Sequence, residues 1–226
     1  TIKYELGDLA KDPETKKSML QEAILDMENG LKLCFEEVRV FEKQMPWAPW
    51  HLGWNQYRTG VWLNRLYKLT SNKEHLRKAA KAFAEAAESY QKVDTKSRIA
   101  ECQWKAAETY DALNEHLKAA ENFDLAADNY KVISERMPQL KDFYREHACY
   151  MAAWSEIEKA RHHHERQEYG SAEEDYEKAA ALHKSLRQWS YLAPNYSAWA
   201  QVEKAENVSR KEESEDAIHA FEQAGR

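Results

Sequence analysis

His162, His163 and His164 stand in a row between Arg161 and Glu165, the densest set of ligand-type side chains in the chain. Imidazoles flanked by carboxylates suit a metal site or a proton relay. Successive residues of a regular helix diverge by about 100°, so three in a row cannot converge on one ion from one. None of the nine histidines has Glu three residues before it, as a di-iron helix motif requires, and none begins His-Glu-x-x-His or sits in a His-x-x-x-His pair. No Gly-x-Ser-x-Gly elbow, phosphate-cradling glycine loop or catalytic cysteine context is present. These patterns predict a chain with no catalytic residue, no cofactor and no metal, whose many carboxylates are mostly solvated helix faces.

The elements that position these residues are helices. Ala, Glu and Lys are abundant, whereas six glycines and five prolines leave little material for hairpins. Over residues 14–44, Leu20, Ile24, Met27, Leu31, Cys34, Val38 and Phe41 alternate at spacings of four and three, a heptad stripe on one long helix interrupted only at Asn29-Gly30. Pro46 and Pro49 end that pattern, and Met45 to Trp54 reads as an irregular, aromatic-rich connector. Trp47, Trp50, His51 and Trp54 in it either fold back over the end of the following domain or form an exposed patch for a partner.

Beyond the connector the sequence repeats. Ala, aromatic, Ala at offsets 0, 4 and 7 occurs as Ala79-Phe83-Ala86, Ala119-Phe123-Ala126, Ala172-Tyr176-Ala179 and Ala217-Phe221-Ala224. Tyr90, Tyr130 and His183 extend the first three by one turn. Each copy is one face of a helix, with small residues where a neighbour comes close. A second helix precedes it: Ala107 and Tyr110 lie 12 and 9 residues before Ala119, and Ala160 and His163 lie likewise before Ala172, as do Ala205 and Val208 before Ala217. The stretch Ala153 to Ala160 (AWSEIEKA) aligns without a gap on Ala198 to Ala205 (AWAQVEKA). The first copy fits with three extra residues in its turn, which places Tyr67 at the Tyr110 position. Small facing bulky, twice per unit, is what closely packed antiparallel helices need.

On these residues the chain resembles the tetratricopeptide (TPR) family, over about 57–226, and its longer units are similar to those of soluble NSF attachment proteins or large prokaryotic signalling proteins. The resemblance implies an all-α fold, a right-handed α-solenoid of about four TPR-like helix pairs with a long N-terminal helix. The expected division is 1–53 for that helix and the connector and 54–226 for the repeats, in units of approximately 54–96, 97–138, 139–193 and 194–226. Carried over by position, a concave groove presents Arg58, Val61, Arg65 and Lys68, then Glu101, Trp104, Glu108 and Asp111. The third unit adds Trp154, Ile157, Arg161 and His164, and the fourth Trp199, Val202, Glu206 and Arg210. The tryptophans either anchor a partner there or pack between helices. The Lys and Asn clamp for a free C-terminal carboxylate is not matched. His163 is expected between two helices, His162 on an outer or lateral surface and His164 toward the groove.

The implied function is a non-enzymatic scaffold that binds a protein or peptide. A sensor or regulatory domain of a larger signalling ATPase, protease or other multidomain protein is the alternative, favoured by a chain that stops at Arg226 within a helical pattern. A net charge of −6, with basic and acidic residues mixed throughout, shows no basic stripe for nucleic acid. No apolar run spans a bilayer and no signal segment opens the chain, so a cytoplasmic protein without membrane insertion is expected. Cys34, Cys102 and Cys149 read as reduced, mostly buried side chains. The heptad helix either caps the repeats or, like an uncapped C-terminal helix, supports a homodimer.

Overall fold

The computed structural model describes residues 12–41, 46–210 and 221–223, and among them every regular element is an α-helix or a short 3-10 turn, with no strand. The chain divides into two compact units, Thr1–Asn114 and Glu115–Arg226. No helix among the described residues is long and apolar enough to cross a membrane. Ala217, Ala224 and the side chains of Met27, Cys34, Val38 and Phe41 lie outside the described residues.

The first unit holds α1 (Pro13–Phe41), α2 (Ala48–Thr70), α3 (Lys73–Gln91) and α4 (Lys96–Asp111). Asp12 opens α1 by accepting the Thr15 backbone N–H and hydroxyl, both at 2.7 Å, and these bonds hold its carboxyl below the usual range. Leu20 and Ile24 of the heptad stripe are buried in one cluster with Trp62, Leu63 and Leu66 of α2 and with Ala79 and Phe83 of α3. Leu31 packs on Ala48 and Leu52. Each such side chain taken fully out of water contributes roughly 1.5–3 kcal/mol, which is why the stripe lies against α2.

The expected irregular connector is corrected. Only Pro46 and Trp47 form a turn among its described residues, and α2 already runs from Ala48. Pro49 starts the helix rather than breaking it, because the first turn needs no proline N–H. The helix then lines up its rings: Trp50 stacks on Trp54 with centroids 6.0 Å apart, Trp54 on Tyr57 at 6.4 Å, and Trp50 meets Tyr90 of α3 edge-on. Trp47 stays exposed.

Two glycines in helix interiors have opposite roles. A Cβ on Gly60 would lie 2.8 Å from the ring of Phe83, which is itself fully buried, so the ring or the helix must shift. A Cβ on Gly30 would meet nothing within 4 Å. Gly60→Ala is therefore expected to destabilise by about 1–2 kcal/mol, overpacking outweighing the gain in helix propensity. Gly30→Ala should stabilise by about 0.5–1 kcal/mol. Urea unfolding of both variants, followed by far-UV circular dichroism, checks the two signs; a stabilised Gly60→Ala would mean that α2 and α3 are not in close contact there.

The second unit holds α5 (His116–Arg136), a 3-10 turn at Pro138–Leu140, α6 (Lys141–Glu165), α7 (Tyr169–Lys184), a second 3-10 turn at Ser190–Leu192 and α8 (Ala193–Arg210). Phe123 of α5 stacks on Trp154 of α6, and Ile157, Ala160, Tyr176, Ala179, Tyr196 and Ala200 form the core that joins α6, α7 and α8. Alanines at the repeated positions let these helices approach, and tyrosines fill the space between them.

The local turns keep the register seen in the sequence. Asn114 and Gln167, each five residues before a repeated alanine, both have positive φ, 60° and 63°. Ser71 takes the same conformation with φ 53°, eight residues before Ala79, which is the three-residue insertion expected in the first copy. These non-glycine residues accept left-handed geometry because it closes a helix end: the Gln167 N–H bonds to the His164 carbonyl at 2.8 Å and the Glu168 N–H to that of His163 at 2.9 Å.

Candidate functional site

The histidine row forms the last turn of α6, whose carbonyls are closed by the backbone N–H groups of Arg166, Gln167 and Glu168. The three rings part company there. His163 lies between α6 and α7, with Nδ1 2.7 Å from Glu168 and Nε2 3.7 Å from Asp175. His162 is half-buried and edge-on to His163. His164 is half exposed and places Nδ1 2.9 Å from the carboxylate of Glu203 on α8.

His164 thereby becomes one wall of a cleft of about 360 Å³ in the second unit. α6 contributes Ile157, Arg161, His164 and Glu165 at offsets 0, 4, 7 and 8, one helical face. α8 contributes Tyr196, Trp199 and Glu203 at offsets 0, 3 and 7 together with Asn195, and Tyr176 of α7 and His116 of α5 complete the wall. The Arg161, His164 and Trp199 expected in a groove do meet here. Trp199 is 46% exposed, stacked against Tyr176 at 6.2 Å.

Two buried carboxylates, which the sequence reading did not single out, organise the polar side. Glu158 is fully buried; its Oε2 lies 2.7 Å from His116 Nδ1 and its Oε1 accepts Arg161 Nη1 at 2.7 Å. An ionised Glu158 accepts only, and so pairs with the Nδ1–H form of the His116 ring. Glu203 is 1% exposed and leans on His164. Burial raises the Glu203 carboxyl above its ordinary range, the nearby Glu206 adds to the rise, and the His164 N–H opposes both. Glu158 and Glu203 occupy the same position of the gapless AWSEIEKA and AWAQVEKA match, but a shared position does not by itself distinguish a buried carboxylate from a solvated one. Their histidine partners sit 42 and 39 residues away and follow no spacing rule.

The two histidine and carboxylate pairs resemble a general-base arrangement; among the described residues no Ser, Thr or Cys lines the cleft, and burial pushes the Tyr176 hydroxyl up to about 12. The lining presents aromatic faces, one guanidinium, the Asn195 amide and the carboxylates of Glu165 and Glu203. A roomier hollow of about 500 Å³ beside it, between α7 and α8, is lined mainly by small residues, with Glu177 and Lys184 as its charged groups.

The other expected groove residues are placed differently. Trp154 is half-buried among Phe123, Tyr150 and Tyr196 and packs between helices. Arg210 lies over the Tyr169 ring and bonds to Gln167, outside the cleft. In the first unit, Arg65, Lys68 and Glu108 line a separate cleft of about 350 Å³ together with Lys105, which bonds to Glu108 at 2.7 Å. Trp104 stands beside it under the Lys105 ammonium, 5.1 Å from the ring centroid. Arg58 is held over Trp62 and Trp54 on α2, at 5.0 and 5.9 Å. Glu101 accepts bonds from Tyr57 and Arg98 and is used internally. Cys102 is buried and Cys149 half-buried, both as free thiols, and burial raises the Cys102 thiol.

No protein-family model, curated protein or solved structure matches this chain.

Proposed function

We propose that the chain is a TPR-like interaction scaffold, a non-catalytic right-handed α-solenoid of about four helix pairs that binds a peptide or partner helix. The equivalent left-handed turn residues Asn114 and Gln167 support the repeat register. The observation that carries the binding role is the convergence of Arg161, His164 and Trp199 from α6 and α8 on one cleft. An exposed tryptophan beside buried aromatic neighbours is the kind of anchor on which peptide recognition concentrates its binding energy. Charged side chains around it set register and orientation.

Selection of a random-peptide library on the full chain tests this function. Enriched peptides are expected to bind the wild type and to lose at least about tenfold in affinity, read by fluorescence anisotropy, on Trp199→Ala. Trp199 is half exposed, so the variant keeps its fold, as circular dichroism will show. A library that yields no binder, or binders indifferent to Trp199→Ala, rejects the role.

A further inference from the structure

The cleft in the second unit is unbalanced in charge. Arg161 is met at 2.7 Å by the buried Glu158. Glu165 is exposed on its side chain by 56%, with the His116 Nε2 3.4 Å from its carboxylate. Glu203 forms the floor beneath His164, and Glu206 is close enough to push its carboxyl further up. With Arg161 taken up by Glu158, the carboxylates of Glu165 and Glu203 remain on the lining of the cleft. The same wall carries Tyr176, Tyr196 and the exposed Trp199. Carboxylates beside aromatic faces are the complement of a planar cation, which forks onto the former and stacks on the latter.

We propose that this cleft takes a cationic side chain, an arginine of the bound segment, with its guanidinium on Trp199 and Glu165 above the buried charge of Glu203. The assignment rests on the peptide-binding role and narrows it: the partner presents a basic residue at the point where it enters the cleft. Charge complementarity selects this occupant over an acidic or purely apolar one, since an acidic residue would face Glu165 and Glu203 and an apolar one would desolvate them without replacement.

N-acetyl-arginine amide and its neutral isostere N-acetyl-citrulline amide are the probes, titrated into the full 15N-labelled chain while the Trp199 indole N–H resonance, assigned by Trp199→Phe, is followed. The arginine probe should shift that resonance saturably and the citrulline probe should bind at least about fivefold more weakly. Glu165→Gln, at an exposed position, should bring arginine down toward citrulline, and Glu203→Gln should do the same if its fold is retained. Equal binding of both probes, or a Glu165→Gln chain that still prefers arginine to the wild-type extent, overturns the assignment. The two proposals fail separately. Selected peptides that need Trp199 but carry no basic residue would sink the cation site and leave the peptide role, whereas arginine binding without any selected peptide would do the reverse.

Discussion

Glu158→Ala is expected to cost about 3–5 kcal/mol, a large fraction of the stability of a domain this size. The carboxylate has no exposure and holds two partners, the His116 ring and the Arg161 guanidinium, each at 2.7 Å. Arg161 is 37% exposed on its side chain and can turn to water once released, but His116 is 9% exposed and cannot. Truncation therefore leaves a buried imidazole donor without its acceptor and a cavity where the carboxylate was. Replacing both partners with apolar residues, as in Glu158→Met with His116→Leu, should cost less than Glu158→Ala alone, because the uncompensated polar group is then gone. Urea unfolding by circular dichroism, with hydrogen exchange along α6 to localise the loss, measures both. A Glu158→Ala cost below about 1 kcal/mol would show that the carboxylate is not paired as described.

The helices and their turns were legible because the repeat encodes them locally. Alanines at offsets 0 and 7 with an aromatic ring at 4 define a packed face whatever the neighbour is, and the turn residue five positions earlier follows from the same register. The first turns of α2 were missed for an opposite reason. Two prolines within four residues read as a break, although Pro49 sits where a proline initiates a helix. The cleft was half legible. Arg161, His164 and Trp199 were placed by repeat position, but His116 and the two buried glutamates were not, since among 39 acidic residues nothing local separates a buried carboxylate from a solvated one. Only partners some forty residues away in sequence make that distinction. The two alternatives open for the tryptophans divide between equivalent positions: Trp154 shares its repeat position with Trp199, but Phe123, Tyr150 and Tyr196 surround it.

His183→Phe should remove much of the acid sensitivity of the protein. His183 is fully buried, stacked on Tyr196 at 5.3 Å and edge-on to Tyr150 at 5.9 Å, and neither ring nitrogen has a hydrogen-bond partner. Burial alone pushes its imidazole down to about 4, so the folded chain excludes a proton that the unfolded chain accepts near pH 6.5. The stability it contributes is whole above pH 6.5 and is lost as pH falls toward 4, in total about 3 kcal/mol. Tyr90 and Tyr130 fill the same repeat position in the other copies, so an aromatic ring without nitrogen fits the helix face. At pH 7.5 the phenylalanine chain should be at least as stable as wild type, because two unpartnered polar atoms have been removed. Carboxylates titrate alike in both chains and cancel in the comparison, leaving a gap that widens by about 3 kcal/mol between pH 7 and pH 4. Chemical denaturation across that range reads it directly, and parallel stability curves would mean that His183 gains a partner or a proton within the fold.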